Sequence, residues 1–328
     1  MDYELETATA IEAVRRAVEL CSAVRTELVV VDSLQKSDKS PVTIADYGAQ
    51  ALIGQRLEAT FPRDPIVSEE SSRELRRPKN AASLIQVTHY VQRFERAATP
   101  QQVCAWIDAS KVDPTTRFWT VDPIDGTKGF LRNDQYAIAL ALIELGQVRV
   151  AVLGCPALPL DVDDASSGVG ALFVAVRGQG AKMCPRAQSS PQSLRVADGS
   201  SSRSHRLVES MEAAHGNAIF QEAVARAVRI TSPALKMDSQ AKYAAVARGD
   251  ASLYLRLPSP ESPDYREKIW DHAAGSLIVE EAGGRVTDMR GNALDFASGV
   301  HMHNNVGVVA SNGFLHEGVL AFLEQATQ

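Results

Sequence analysis

Trp119-Thr120-Val121-Asp122-Pro123-Ile124-Asp125-Gly126-Thr127-Lys128-Gly129-Phe130 places two carboxylates, a proline between them and a Gly-Thr turn at the end of an apolar segment. Pro123 biases Asp122 toward an extended conformation, which holds the two carboxylates convergent and leaves the Ile124 carbonyl as a third oxygen donor. Hard cations such as Mg2+ take oxygen donors of this kind. Gly126 lets the backbone approach closely, and a helix starting near Thr127 would turn its unpaired N–H groups and its dipole toward a phosphate oxyanion. The competing reading of a bare D-P-x-D string is a tight turn whose Asp side chains cap backbone groups. Partners elsewhere in the chain must decide between the two.

The bulk composition narrows the classes. With 328 residues, 45% of them hydrophobic, the chain can bury a large core in one or two domains. A net charge of −6 argues against a surface that neutralises a nucleic-acid polymer, while leaving room for a local basic pocket. Cys21, Cys104, Cys155 and Cys184 are too dispersed for a zinc site or a secreted disulfide scaffold, so reduced, mostly buried thiols are expected. The start, Met1-Asp2-Tyr3-Glu4-Leu5-Glu6, lacks a basic-then-apolar leader, and no apolar run reaches membrane-spanning length. A cytoplasmic, monomeric protein with no membrane partner is the resulting expectation.

Ile11, Val14, Val18 and Cys21 recur at helical spacing and predict an opening amphipathic helix. A second helix is predicted from about Ile44 through Leu57, stopping before Phe61-Pro62. The charged stretch from Ser71 to Gln102, with Leu84, Val87 and Val91 at a helical period, reads as a peripheral helical insertion. Tyr136 to Glu144 and Val148 to Gly154 read as antiparallel strands joined at Leu145-Gly146-Gln147, with another hairpin beginning at Ala171 to Val176. The loop from Pro156 to Gly168 is a candidate boundary between lobes spanning 1–158 and 159–328, and Ser189 to Ser204 is a second polar, flexible stretch. Beyond it, helical patterns (Phe220 to Val228, Ser239 to Ala247, Asp271 to Glu281) alternate with short strands (Ser252 to Leu257, Gly284 to Asp288, Val306 to Ala310), which suggests layered α/β or α+β architecture.

Four acidic positions stand beside the central run. Asp46, in Thr43-Ile44-Ala45-Asp46-Tyr47, falls at or just inside a predicted helix start and reads equally as an N-cap. Glu69 and Glu70 end the short apolar strand Ile66-Val67-Ser68, and the plain alternative is a pair of solvated loop acids. Asp271, in Trp270-Asp271-His272-Ala273-Ala274-Gly275, opens a predicted helix that ends at Gly283-Gly284.

D-P-x-D-G-T, S-E-E-S upstream and W-D-x-A-x-G downstream together resemble the Mg2+-dependent, lithium-sensitive phosphatases of the inositol monophosphatase superfamily, over nearly the whole chain. Five strings resemble its 3′(2′),5′-bisphosphate nucleotidase subfamily. They are Ser40-Pro41-Val42-Thr43, Asp122 to Arg132, Asp238-Ser239-Gln240-Ala241-Lys242-Tyr243, Tyr254-Leu255-Arg256-Leu257-Pro258 and Glu267 to Gly275. The resemblance implies an α+β fold, a layered αβαβα sandwich in two lobes with the active site between them.

It also implies roles. Glu69, Asp122 and the Ile124 carbonyl would hold one Mg2+, and Asp122, Asp125 and Asp271 a second, with Glu69 reaching a third through water. Asp46 and Thr127 would orient and deprotonate the attacking water, with Gly126, Thr127 and Asp271 also touching substrate. His215, Ser239, Lys242 and Arg256 would read a phosphorylated nucleotide, although a solvated helix face for Lys242, an edge-strand charge for Arg256 and an ordinary structural histidine remain the plain alternatives. The implied reaction removes the 3′-phosphate of adenosine 3′,5′-bisphosphate, with 3′-phosphoadenylyl sulfate as a related substrate and inhibition by Li+ and Na+. An inositol polyphosphate 1-phosphatase or inositol monophosphatase is the nearest rival, and a sensor that binds nucleotide or metal without turnover is the non-enzymatic one.

Overall fold

Strands β3 (Ala137–Glu144) and β4 (Gln147–Pro159) lie at the heart of the fold because both of their faces are apolar. The structure, a computed structural model, describes residues 2–29, 40–109, 116–164, 166–186, 190–199, 205–211, 218–259, 262 and 264–327. On β3, Ile138, Leu140 and Leu142 point to one side and Ala137, Ala139, Ala141 and Ile143 to the other, and all are buried. A strand buried on both faces needs helices on both sides, and the partition of the core shows them.

The first sheet runs in chain order through β1 (Ile66–Ser68), β2 (Arg117–Asp125), β3, β4, β5 (Val169–Val176), β6 (Ala181–Pro185) and β7 (Gln192–Ser193). The β1–β2 pair is parallel and every other pair antiparallel. One face packs on α1 (Glu4–Val24) and α2 (Ser40–Thr60) through Val14, Val18, Leu52, Trp119, Leu140 and Val152. The other face, rich in alanine, meets α7 (Ala241–Arg248) and α8 (Ala273–Glu281). Small side chains on both surfaces let this helix layer sit tightly between two sheets.

The second sheet has the order β11-β12-β10-β8-β9, comprising β8 (Leu207–Glu209), β9 (Leu235–Lys236), β10 (Leu253–Arg256), β11 (Arg285–Thr287) and β12 (Val308–Ser311). Its inner face joins the α7/α8 layer through Val208, Tyr254, Val286 and Ala310. Its outer face packs through Leu253, Leu255 and Val309 on α6 (Ala218–Ala227) and α9 (His316–Thr327). The layers are therefore α, β, α, β, α, as the resemblance implied.

Three expectations change. The helix carrying Asp46 begins at Ser40, four residues earlier than predicted, so Asp46 lies in its second turn and is not an N-cap. The stretch from Ser71 to Gln102 is not merely peripheral: α3 (Ala81–Gln92) buries Val87, Tyr90 and Val91 in the α1/α2 core, and α4 (Pro100–Ile107), opened by a Thr99 capping box, adds Val103 and Ile107. The boundary expected at 158/159 falls inside the β4–β5 hairpin, where Pro159 pairs with Val169, and the chain changes sheets between Ser193 and Leu207. Part of the polar stretch from Ser189 to Ser204 lies outside the described residues. Cys21, Cys104 and Cys155 are buried and Cys184 is half-buried, all as free thiols. Among the described residues no helix is long and apolar enough to cross a membrane.

Candidate active site

The end of β2 builds one wall of the site. Its register with β3 shifts between Asp122, opposite Ala139, and Asp125, opposite Ala137, so Pro123 sits in a bulge where its missing N–H costs no ladder bond. Gly126 follows at φ 87°, and a Cβ there would fall 2.9 Å from the Ser239 Cβ. Only glycine suits both the left-handed backbone and that approach. The chain then turns into α5 (Thr127–Leu131), as the Gly-Thr pair predicted.

Behind this turn a cavity of about 330 Å3 collects residues from both halves of the chain. Glu69, Asp122, Ile124, Asp125, Gly126 and Thr127 come from the first half, and Ser239, Lys242, Arg256 and Asp271 from the second. Every site residue expected from the sequence is thus in the cavity wall except Asp46 and His215. Asp46 is buried on α2 beside Glu69 and Glu70, close enough to raise its carboxyl, and His215 lies outside the described residues. The loop bearing Glu69 and Glu70 is clamped from α2 by Gln50, which donates to the Glu70 carbonyl at 2.6 Å and accepts from its N–H at 3.0 Å.

The carboxylates repel one another. Burial raises the proton affinity of Asp122 well above the ordinary range, and Glu69, Asp125, Asp271 and Asp46 add to it. Burial likewise lifts Asp271 to about 7, opposed by His272 and reinforced by Asp125. Glu69, at the exposed rim, is raised by burial of its carboxyl and by Glu70, with Lys268 working the other way. Asp125 is raised by burial too, but Lys242 and the Gln240 N–H, 2.6 Å from its Oδ2, offset part of the effect. Asp46 is raised by burial and by Glu70 and Glu69. The buried Asp122 Oδ1 has no hydrogen-bond partner, a costly state for a carboxylate oxygen. Convergent carboxylates, an orphaned oxygen and the nearby Ile124 carbonyl fit a hard divalent cation.

The opposite charge is also buried here. Lys242, 5% exposed, is no solvated helix residue: its Nζ lies 5.3 Å from the centre of the Tyr254 ring and 3.5 Å from the Met237 carbonyl. Burial brings its pKa down to about 8, against the pull of Asp125. Arg256, at the end of β10, donates from Nε to Glu267 Oε1 at 2.9 Å. Ser239 occupies a left-handed backbone at φ 66°, an uncommon position for a residue with a Cβ, and its Oγ accepts from the Ala241 N–H at 3.2 Å. Asp271 does not open α8, which begins at Ala273: it closes a 3-10 turn over Ile269–Asp271 and accepts from the Lys268 N–H at 3.3 Å.

Sequence reasoning missed Glu267, His272, Asp238 and Tyr254, all in the cavity wall. Ligating atoms of Glu267, Asp271 and His272 lie within 4.8 Å of one another. Burial alone would raise Glu267, but His272 and Arg256 outweigh it and hold its carboxyl at about 2. Asp238 pairs with Arg132 across the turn that carries α5. The signal for Glu267 was present as a carboxylate four residues before Asp271, with a basic residue between them.

The profile of the inositol monophosphatase family matches residues 2–328. The 3′(2′),5′-bisphosphate nucleotidase of Schizosaccharomyces pombe is 42% identical over 98% of this chain and 95% of its own length. The proteins of the same name from Oryza sativa and Dictyostelium discoideum are 40% and 37% identical, over 99% and 97% of this chain and 95% and 96% of theirs. Among solved structures, an inositol monophosphatase from Anabaena superposes with a TM-score of 0.63 at 20% identity, covering 99% of this chain and 97% of that one. An inositol monophosphatase structure from Thermotoga maritima gives 0.62 at 21%, with 97% and 96% covered, and these two likenesses concern the fold alone. With its layers, its carboxylate cavity and these relatives in agreement, the chain belongs to the inositol monophosphatase family.

Proposed function

We propose that the protein hydrolyses the 3′-phosphate of adenosine 3′,5′-bisphosphate to AMP and inorganic phosphate, with 3′-phosphoadenylyl sulfate as a second substrate and two or three Mg2+ ions as cofactor. The observation that carries this reading is that one cavity holds both a cluster of carboxylates and two cations, the buried Lys242 and the half-buried Arg256. A substrate with one phosphate would need only the first group. The nucleotidase names of the relatives support the same substrate.

Glu69, Asp122 and the Ile124 carbonyl would hold one ion, and Asp122, Asp125 and Asp271 another, with Glu69 reaching a third through water. Bound there, Mg2+ supplies Lewis-acid chemistry: it neutralises the phosphate and lowers the pKa of water. Asp46 and Thr127 orient the attacking water, and Asp46, whose burial favours proton uptake, accepts its proton. The water oxygen bonds to phosphorus as the bond to the 3′-oxygen breaks in line; that oxygen takes a proton from solvent water and leaves as the ribose hydroxyl, and Asp46 returns its own proton to solvent. Lys242, Arg256 and Ser239 bind the 5′-phosphate, and Gly126 lets the substrate approach the backbone. His215 completes the proposed nucleotide contacts. Occupation of an ion site by Li+ or Na+ would inhibit.

The test is phosphate release from a panel of adenosine 3′,5′-bisphosphate, adenosine 3′-monophosphate, 3′-phosphoadenylyl sulfate, inositol 1-phosphate and inositol 1,4-bisphosphate, with Mg2+ and with added Li+. The nucleotide bisphosphate is expected to give the highest kcat/KM. A higher value for an inositol phosphate would overturn the substrate, and binding without phosphate release from any of them would leave a sensor.

A further inference from the structure

Tyr243 is a fully buried residue of α7 that does not line the cavity, yet its contacts lead toward both Lys242 and Arg256. Its hydroxyl lies 2.7 Å from His272 Nδ1. Its ring stands edge-on to Tyr254, 5.0 Å between centres, and Lys242 lies over the other ring of that pair. The space it fills is prepared by Gly275, where a Cβ would come within 2.3 Å of Tyr243 Cδ2.

A neutral His272 gives these bonds one consistent direction, because the Glu267 carboxylate can only accept. An imidazole that accepts from the Tyr243 hydroxyl at Nδ1 carries its proton on Nε2. Nε2 faces Glu267 Oε2 at 3.4 Å, and the other oxygen of the same carboxylate accepts from Arg256 Nε at 2.9 Å. His272, 2% exposed, is thereby fixed at both nitrogens, which sets it apart from a metal ligand even though it lies beside Asp271. A phenylalanine would fill the same ring volume, so the hydroxyl is present for its bond and not for packing.

We propose that Tyr243 and His272 are positioning residues for substrate choice: they set Arg256 through Glu267, and Lys242 through Tyr254, so that both cations meet the phosphate that is not cleaved. This rests on the proposed nucleotide reading. It assigns Tyr243 and His272 a role in discriminating bisphosphate from monophosphate and none in the cleavage step.

The experiment compares full-length wild type and Tyr243→Phe, saturated with Mg2+, on adenosine 3′,5′-bisphosphate and adenosine 3′-monophosphate. Loss of one hydrogen bond in the relay is expected to raise KM for the bisphosphate about three- to tenfold. Its kcat should stay within about twofold, and the monophosphate constants should not move. The ratio of kcat/KM values for the two substrates is independent of the folded fraction, so a partly misfolded preparation still gives the answer. In a Glu267→Gln background the Tyr243→Phe effect should vanish, because the path is already cut. His272→Gln is the second variant and should lower the same ratio. Equal changes on both substrates, additive effects in the double variant, or a raised Mg2+ requirement would overturn the proposal, the last by making the Glu267, Asp271 and His272 group a metal site. If wild type prefers the bisphosphate and Tyr243→Phe keeps that preference, this inference alone falls; if wild type shows no preference, the substrate reading falls with it.

Discussion

Asp271→Asn should stabilise the metal-free protein, and by more at high pH than at low. Asparagine is nearly isosteric and its Oδ1 can still accept from the Lys268 N–H, so the change removes a charge with little loss of packing or bonding. The Asp271 carboxyl titrates at about 7 in the folded chain because burial and its acidic neighbours disfavour the anion. In the unfolded chain it titrates near the ordinary value of about 4. Between those values the folded state holds the extra proton, so stability falls as pH rises through that window. At about 1.4 kcal/mol per pH unit, ionising Asp271 costs the wild type about 1.5 kcal/mol by pH 5 and about 4 kcal/mol by pH 8. The variant lacks this slope. The difference between variant and wild type should therefore grow by about 2 to 3 kcal/mol from pH 5 to pH 8, since groups remote from Asp271 contribute equally to both and cancel. His316 is such a group: burial holds it at about 4, so it works in the opposite direction below pH 6.5. Urea unfolding in chelator at the two pH values measures the difference directly. Adding Mg2+ should reverse the order, because binding stabilises a wild type that keeps its ligands and not the variant. A difference that does not change with pH, or a variant less stable than wild type in chelator at pH 8, would refute the electrostatic account of the cluster.

Two further expectations are simpler. Asp46→Asn keeps the size of the side chain and removes its capacity to take a proton, so phosphate release should fall by about 100-fold or more while the circular dichroism spectrum is unchanged; retention of full activity would remove Asp46 from the mechanism. Gly275→Ala places a methyl 2.3 Å from the Tyr243 ring in a middle layer with no slack. Overpacking of this kind costs about 1 to 3 kcal/mol, visible as a lowered Tm, and an unchanged Tm would mean that the ring is not seated as described.

The carboxylates of the cavity were legible because each ends or opens an element. Asp122 and Asp125 flank Pro123 at the end of β2, Glu69 follows β1 directly and Asp271 closes the turn before α8. Asp46 was found for a different reason than the one the structure gives. Ser40-Pro41 is a better helix start than Ile44, since proline is favoured in the first turn, and reading it would have put Asp46 a full turn inside. The layering was hidden. Ile138, Leu140 and Leu142 alternate with Ala137, Ala139 and Ala141, so β3 reads as one unbroken apolar run. Such a run cannot tell a strand covered by helices on both sides from a strand inside a simple sandwich.

What no local pattern could supply is the material behind the site. Tyr243 sits in Ala241-Lys242-Tyr243-Ala244-Ala245, where it reads as one more apolar position of a helix, and His272 reads as the residue after a metal ligand. They meet 29 positions apart only because α7 and α8 are packed side by side in the layer between the sheets. The same packing faces Tyr254 on β10 and brings Arg256 down to Glu267. The carboxylates thus hang mostly on the first sheet and its loops, while the cations hang on the middle helices and the second sheet. In the proposed reaction, a substrate phosphate at each set would have its two phosphates held by different layers. The spacing between cleaved and uncleaved phosphate is then fixed by how the α7/α8 layer packs, and substitutions at its alanines and at Gly275 should alter substrate choice before they alter the chemistry.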